Sequence, residues 1–219
     1  MTANLLGFEH LFIRSTRGSK LTLLMLHGTG GDEYDLVPIF KELGVASSML
    51  SPRGKVLENG MPRFFRRTAE GVFDLRDLEF RTRELSDFVG ASVSEYRLDA
   101  HNVVAIGYSN GANIAASVLL SRPDVLAGAI LMRPMLPMTP RSLPDLRSKP
   151  VFISAGISDE VIPKESTTQL IDVMEKSGAD LKVVHQSSGH ALVASDILDA
   201  KAWLKYHFIE VKAKGAESN

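Results

Sequence analysis

The 219-residue sequence contains no cysteine and a single tryptophan. Without a thiol there is no disulfide, no thiolate metal site and no cysteine nucleophile, and the absence suits a reducing compartment. Charge of one sign is missing too: 25 Lys and Arg stand against 26 Asp and Glu, a net charge of -1. Nothing in that balance favours wrapping a phosphate backbone, so nucleic acid is not an expected partner. The segment Met1 to His10 lacks the basic start and long apolar stretch of a signal peptide, and the apolar runs elsewhere are only strand-sized. Secretion and stable membrane insertion are therefore not expected.

What is present reads as one globular domain over residues 1–211, with a polar tail over 212–219, because 44% apolar residues suffice for a large core. Phe8 to Arg14 and Leu21 to Leu26 read as strands, Asp35 to Leu43 as a short helix and Val45 to Leu50 as a strand. Ser51 to Phe73, broken by Pro52, Gly54, Asn59-Gly60, Pro62 and Gly71, reads as a long surface excursion. Asp77 to Tyr96 has helical spacing, with Phe80, Leu85, Phe88 and Val89 expected toward the core. Thereafter strands and helices alternate: Asn102 to Tyr108, Asn110 to Leu120, Leu126 to Met132, Val151 to Gly156, Lys164 to Lys176, Leu181 to Val184 and Ala191 to Ile209. That alternation predicts an α/β fold with a mostly parallel central sheet, helices on both faces and an opening antiparallel strand pair.

Gly107-Tyr108-Ser109-Asn110-Gly111 has the G-x-S-x-G pattern and lies between an apolar strand and a helix. In that context the glycines admit a sharp turn with the serine hydroxyl at its tip, although a helix-capping serine also fits the five letters. An attacking alcohol needs a base, and His190, after the last strand and before the terminal helix, is the best placed of six histidines. His27 reads instead as a brace for the glycine loop His27-Gly28-Thr29-Gly30-Gly31. Asp159 follows the strand ending at Gly156 and completes the chain order Ser, Asp, His, with Glu160 as its immediate rival. The backbone N–H groups of Thr29 and Asn110 are candidate oxyanion donors. No phosphate-binding glycine motif is present, so no nucleotide cofactor is expected, and the chemistry requires no metal.

These pieces together resemble the phospholipase/carboxylesterase family of α/β-hydrolases, which includes acyl-protein thioesterases, and especially its compact bacterial carboxylesterase branch. The resemblance rests on Leu26 to Glu33, Gly107 to Ala115, Gly156 to Asp159 with Val161 and Pro163, and Gly189-His190. It implies Ser109 as nucleophile, Asp159 and His190 as its partners, and Thr29 and Asn110 in the oxyanion hole. It also implies a cytoplasmic, cofactor-free enzyme, often a homodimer, acting on carboxylic esters or thioesters. Asn110 stands where thioesterase-like relatives commonly carry glutamine, which points away from protein deacylation.

The expected activity is hydrolysis of small or medium carboxylic esters through an acyl-enzyme. An acyl thioesterase or lysophospholipase would use the same residues, and a catalytically inactive ligand-binding protein would keep the fold. Arg63, Phe64 and Phe65, in Met61 to Arg67, are candidate pocket residues for an apolar or carboxylate-bearing substrate, as are Arg133 and Leu136, in Leu131 to Met138. An exposed apolar patch around Leu136 would instead favour dimerisation.

Overall fold

The computed structural model describes residues 2–210, so the expected tail at 212–219 lies outside the described residues. In chain order the strands and helices begin with β1 (Thr2–Leu5), β2 (Phe8–Ile13), β3 (Thr22–Leu26), α1 (Val37–Leu43) and β4 (Ser48–Pro52). Two hairpins follow, β5 (Val56–Glu58) with β6 (Met61–Arg63), and β7 (Arg67–Ala69) with β8 (Val72–Phe73). The remainder is α2 (Leu75–Tyr96), β9 (Val103–Tyr108), α3 (Asn110–Ser121), β10 (Gly128–Met132), β11 (Pro150–Gly156), α4 (Lys164–Lys176), β12 (Asp180–Gln186) and α5 (Ala194–Lys205).

Eight strands form one sheet in the order β1-β2-β4-β3-β9-β10-β11-β12. β1 pairs antiparallel with β2, and β2 with β4; every later pairing is parallel. Parallel strands covered on both faces must be apolar throughout, and all five residues of β3 and of β10 are buried. Period-two alternation sends Leu24, Leu26, Ala105 and Leu131 into one core with α2, α3 and α4. Leu23, Met25, Ile106 and Met132 enter the other, with α1 and α5. Burying each large side chain of this kind contributes about 1.5–3 kcal/mol.

Two expectations change. Phe80 is half exposed, and Leu78 takes its place in the core. Leu78, Thr82, Leu85 and Val89 share one helical face, whereas Phe80 sits about 200° round the axis from Leu78. The segment Ser51 to Phe73 is not merely a surface excursion either. Its hairpins fold back over the sheet and bury Val56, Arg63, Phe64 and Phe65, which supplies the apolar burial that two isolated hairpins lack. At its start Arg53 donates two hydrogen bonds, of 2.6 and 2.9 Å, to buried Glu33, pinning the loop after β3 to the end of β4. Among the described residues no helix is long and apolar enough to cross a membrane.

Candidate active site

Ser109 is the only residue between β9 and α3, and the chain reverses there with φ 51° and ψ -113°. A non-glycine residue at such angles costs on the order of 1–3 kcal/mol and persists only when its neighbours dictate it. Ser109 N–H donates to Met132 O at 2.9 Å, and Asn113 N–H donates to Ser109 O at 3.0 Å. The flanking glycines are required by space: a Cβ on Gly107 would overlap the backbone of Gly111 and Ala112, and one on Gly111 would overlap Leu26 O. The G-x-S-x-G spacing is thus the spacing at which β9, α3 and β3 press together beneath the serine.

His190 lies in the loop between β12 and α5, and Asp159 in the turn after β11. Nδ1 of His190 is 2.9 Å from Asp159 Oδ2, and Nε2 is 3.1 Å from Ser109 Oγ. Because a carboxylate only accepts, Nδ1 carries the proton and the Nε2 lone pair faces the serine. Asp159 Oδ1 accepts from the N–H groups of Val161 at 2.9 Å and Ile162 at 3.0 Å, leaving Oδ2 for the imidazole. The Tyr108 hydroxyl donates to His190 O at 3.2 Å. An array of this kind can withdraw the serine proton during attack and return it to a leaving group.

Around the serine, Gly30 N–H donates to Pro62 O at 2.9 Å and Gly31 N–H to Gly28 O at 3.2 Å. Among the described residues, the N–H groups of Thr29 and Asn110 have no such protein acceptor, and both residues line the same cavity as Ser109. The Asn110 side chain, buried at the start of α3, accepts from Phe64 N–H through Oδ1 at 2.8 Å, and among the described residues its Nδ2 has no partner. Thr29 Oγ1 accepts from Arg63 Nη1 at 2.8 Å. His27 braces the glycine loop: Nδ1–H donates to Gly28 O at 2.6 Å and Nε2 accepts from Gly54 N–H at 2.9 Å. Burial holds the His27 pKa below its ordinary value, against the pull of that Gly28 bond and of Asp35, Asp32 and Glu33.

The cavity measures ≈ 260 Å³, and its walls include Arg63, Arg67, Phe73, Met135, Ile162 and His190. Arg63 lines this cavity, with its guanidinium shared among Thr29, Glu58 and Phe65 O. Phe64, Phe65, Leu136 and Arg133 do not line it. Phe64 packs on His27 and Phe65 on Phe73, both rings removed from solvent. Leu136 is partly buried and packs against the core, and Met135 faces the cavity from the same segment. Arg133 is wholly buried, 2.8 Å from Asp196. Glu70, Phe73, Asn113, Val161 and Ile162 line the cavity without having been anticipated; for the last two, their place two and three residues after Asp159 was the available signal. Among the described residues no group of three His, Asp or Glu converges as a metal site.

The dienelactone hydrolase family model matches residues 66–207. The chain is 46% identical to the Bacillus subtilis (strain 168) protein named "Putative hydrolase MhqD", over 90% of this chain and 98% of that protein. The crystal structure of the Bacillus cereus carboxylesterase superposes with a TM-score of 0.89 at 45% identity, covering 92% of this chain and 95% of that one. A structure of YahD with malic acid gives 0.85 at 33% identity, covering 94% and 100%. These matches agree with the carboxylesterase resemblance of the motifs and with the α/β-hydrolase sheet. The chain belongs to the dienelactone hydrolase family and is a hydrolase of the dienelactone hydrolase/carboxylesterase type.

Proposed function

We propose that this hydrolase is a serine esterase that cleaves small carboxylic esters through an acyl-enzyme on Ser109. The observation that carries the reading is the hydrogen-bonded line from Asp159 through His190 to Ser109 Oγ, at 2.9 and 3.1 Å, opening onto the cavity. As Ser109 Oγ attacks the carbonyl carbon, His190 Nε2 takes its proton. The carbonyl oxygen becomes an oxyanion facing the free N–H groups of Thr29 and Asn110. Collapse of the tetrahedral intermediate breaks the bond to the alcohol oxygen, which leaves with the proton from His190. Water then attacks the acyl-enzyme by the same route, its proton passing through His190, and the acid is released.

The size of the site supports a small substrate. A volume of ≈ 260 Å³ falls at or below the low end of the roughly 300–1,000 Å³ typical of small-molecule pockets, too little for a long acyl chain. Malic acid in the structure of YahD supports a site scaled to short acids. Aryl esters from acetyl to palmitoyl, compared with acyl thioesters and lysophospholipids, test the reading. Turnover should peak at short oxygen esters, a fluorophosphonate should label Ser109 alone in the folded chain, and Ser109→Ala should abolish both. A preference for long chains or thioesters would overturn the substrate assignment, and a label on another serine would overturn the mechanism.

A further inference from the structure

We infer that Arg133 is a positioning residue that sets the distance between His190 and Ser109, by tying the histidine loop to the strand end that also holds the serine. The inference rests on the reading of Ser109 and His190 as the reacting pair.

The last residue of β10 is Met132, whose carbonyl accepts the Ser109 N–H at 2.9 Å. The next residue is Arg133, turned inward with φ 56° and anchored by its own N–H to Ser154 O at 2.8 Å. Its wholly buried guanidinium reaches three residues around the base: Nε donates to Gly189 O at 3.0 Å, and Nη2 donates to Ser188 Oγ at 2.9 Å and Ala191 O at 3.1 Å. Two adjacent residues therefore hold the nucleophile on one side and the loop of its base on the other. Other holds on that loop are Ser158 N–H to Ser188 O at 3.0 Å and Tyr108 to His190 O.

Behind the arginine, Asp196 is equally buried. It accepts from Nη1 at 2.9 Å and Nη2 at 2.8 Å, from Ser154 Oγ, and from Val193 N–H at 2.8 Å at the start of α5. The carboxylate thus fixes the plane of the guanidinium while that plane fixes the loop. Only a rigid, planar side chain with five donors can serve both sides; a lysine keeps the charge and loses the fork. Buried ion pairs are poor sources of net stability, so placement of the loop is the more economical account of this one.

Arg133→Lys separates the two roles, because it retains a cation beside Asp196 and gives up the grip on residues 188–191. Ser188→Ala removes one loop contact and leaves the ion pair intact. Per active site titrated, kcat on a short aryl ester should fall about 10- to 100-fold in the lysine variant and about 2- to 5-fold in Ser188→Ala. KM should change less than about twofold, as expected when placement rather than substrate binding is disturbed. The downfield proton resonance of the His190 Nδ1–H bonded to Asp159 should broaden in both. A purely structural arginine would lower thermal stability and leave kcat per site and that resonance unchanged, which would overturn the inference. Should the lysine variant not fold, an unchanged kcat and resonance in Ser188→Ala overturn it alone. If the wild-type protein neither turns over esters nor labels at Ser109, the esterase reading fails instead.

Discussion

Gly111, in the first turn of α3, lies against the Leu26 carbonyl so closely that a β-carbon could not be placed between them. The same carbonyl belongs to the strand that leads into the Thr29 loop, so one close approach sets α3, and with it Ser109, against the candidate oxyanion donor. Gly111→Ala should force the two apart, lowering stability by about 3 kcal/mol or more and abolishing fluorophosphonate labelling. Gly90 provides the contrast, because it is exposed within α2 and a β-carbon there would meet nothing within 4 Å. Gly90→Ala should raise stability by about 0.5–1 kcal/mol with activity unchanged. Urea unfolding of the two variants, with labelling of each, measures both outcomes.

The two oxygens of Asp159 have separate duties, and replacement by asparagine divides them. In Asp159→Asn the side-chain carbonyl can still accept from Val161 and Ile162, while the amide nitrogen would face the imidazole with a donor in place of an acceptor. The imidazole would then move its proton to Nε2 and lose the lone pair that faces Ser109. This variant should fold normally and lose about 10⁴-fold in kcat, the magnitude known for the same exchange in a serine triad. Asp159→Ala should lose the turn as well and show a lower unfolding midpoint. Circular dichroism with steady-state kinetics distinguishes the pair.

Features that depend on a few consecutive residues were legible in the sequence. Val103 to Tyr108, Ser109 and Asn110 to Leu120 declare a strand, a turn and a helix, and the sheet's parallel centre follows from such units in series. The placement of Asp159 and His190 beside Ser109 was legible because each follows a strand at the edge where a parallel sheet collects its loops. Contacts closed over long separations were not. Nothing near Phe64 states that Asn110 Oδ1 will accept its N–H and draw the segment inward. Nothing near Arg133 states that Asp196 will arrive 63 residues later to neutralise it. The sequence offered Arg133 as a pocket residue because a lone arginine's charge is costly to bury, and only the unseen carboxylate places it in the interior.

Asn110 joins a candidate oxyanion donor to the hairpin segment through one side chain, which makes the charge of that side chain informative. A carboxylate in its place would still accept from Phe64 N–H but would set a negative charge on the residue whose own N–H is the proposed donor to the developing oxyanion. Asn110→Asp should therefore reduce kcat about 100-fold, comparable to losing a donor, and lower stability as well, because a charge in that buried position is costly. Asn110→Ala should cost about 1–2 kcal/mol as Phe64 N–H is orphaned and reduce kcat less. Parallel unfolding and kinetic measurements check that difference in kcat. Equal kinetic loss in both variants would show that the side chain's shape, not its charge, matters to the reaction.

His27 gives the fold a pH dependence of calculable sign. Its burial disfavours the imidazolium, so the folded protein holds the group neutral below the pH at which an unfolded histidine protonates, near 6.5. Between that unfolded value and the lower folded one the unfolded chain binds more protons, so stability rises with pH. The contribution is complete above about pH 7.5 and is lost progressively as the pH falls from 6.5 through the folded value, at no more than about 1.4 kcal/mol per pH unit for one group. Part-buried His207, whose pKa burial also lowers against the pull of Asp180, adds a slope of the same sign. Protonation at His27 Nε2 would break the bond from Gly54 N–H and set two donors face to face. His27→Gln can offer an amide donor and a carbonyl acceptor without titrating between about pH 5 and 8. In urea unfolding across that range, the variant should lose the part of the slope that His207→Gln leaves in place, and an unchanged slope would show that His27 takes up its proton over the same pH range folded and unfolded.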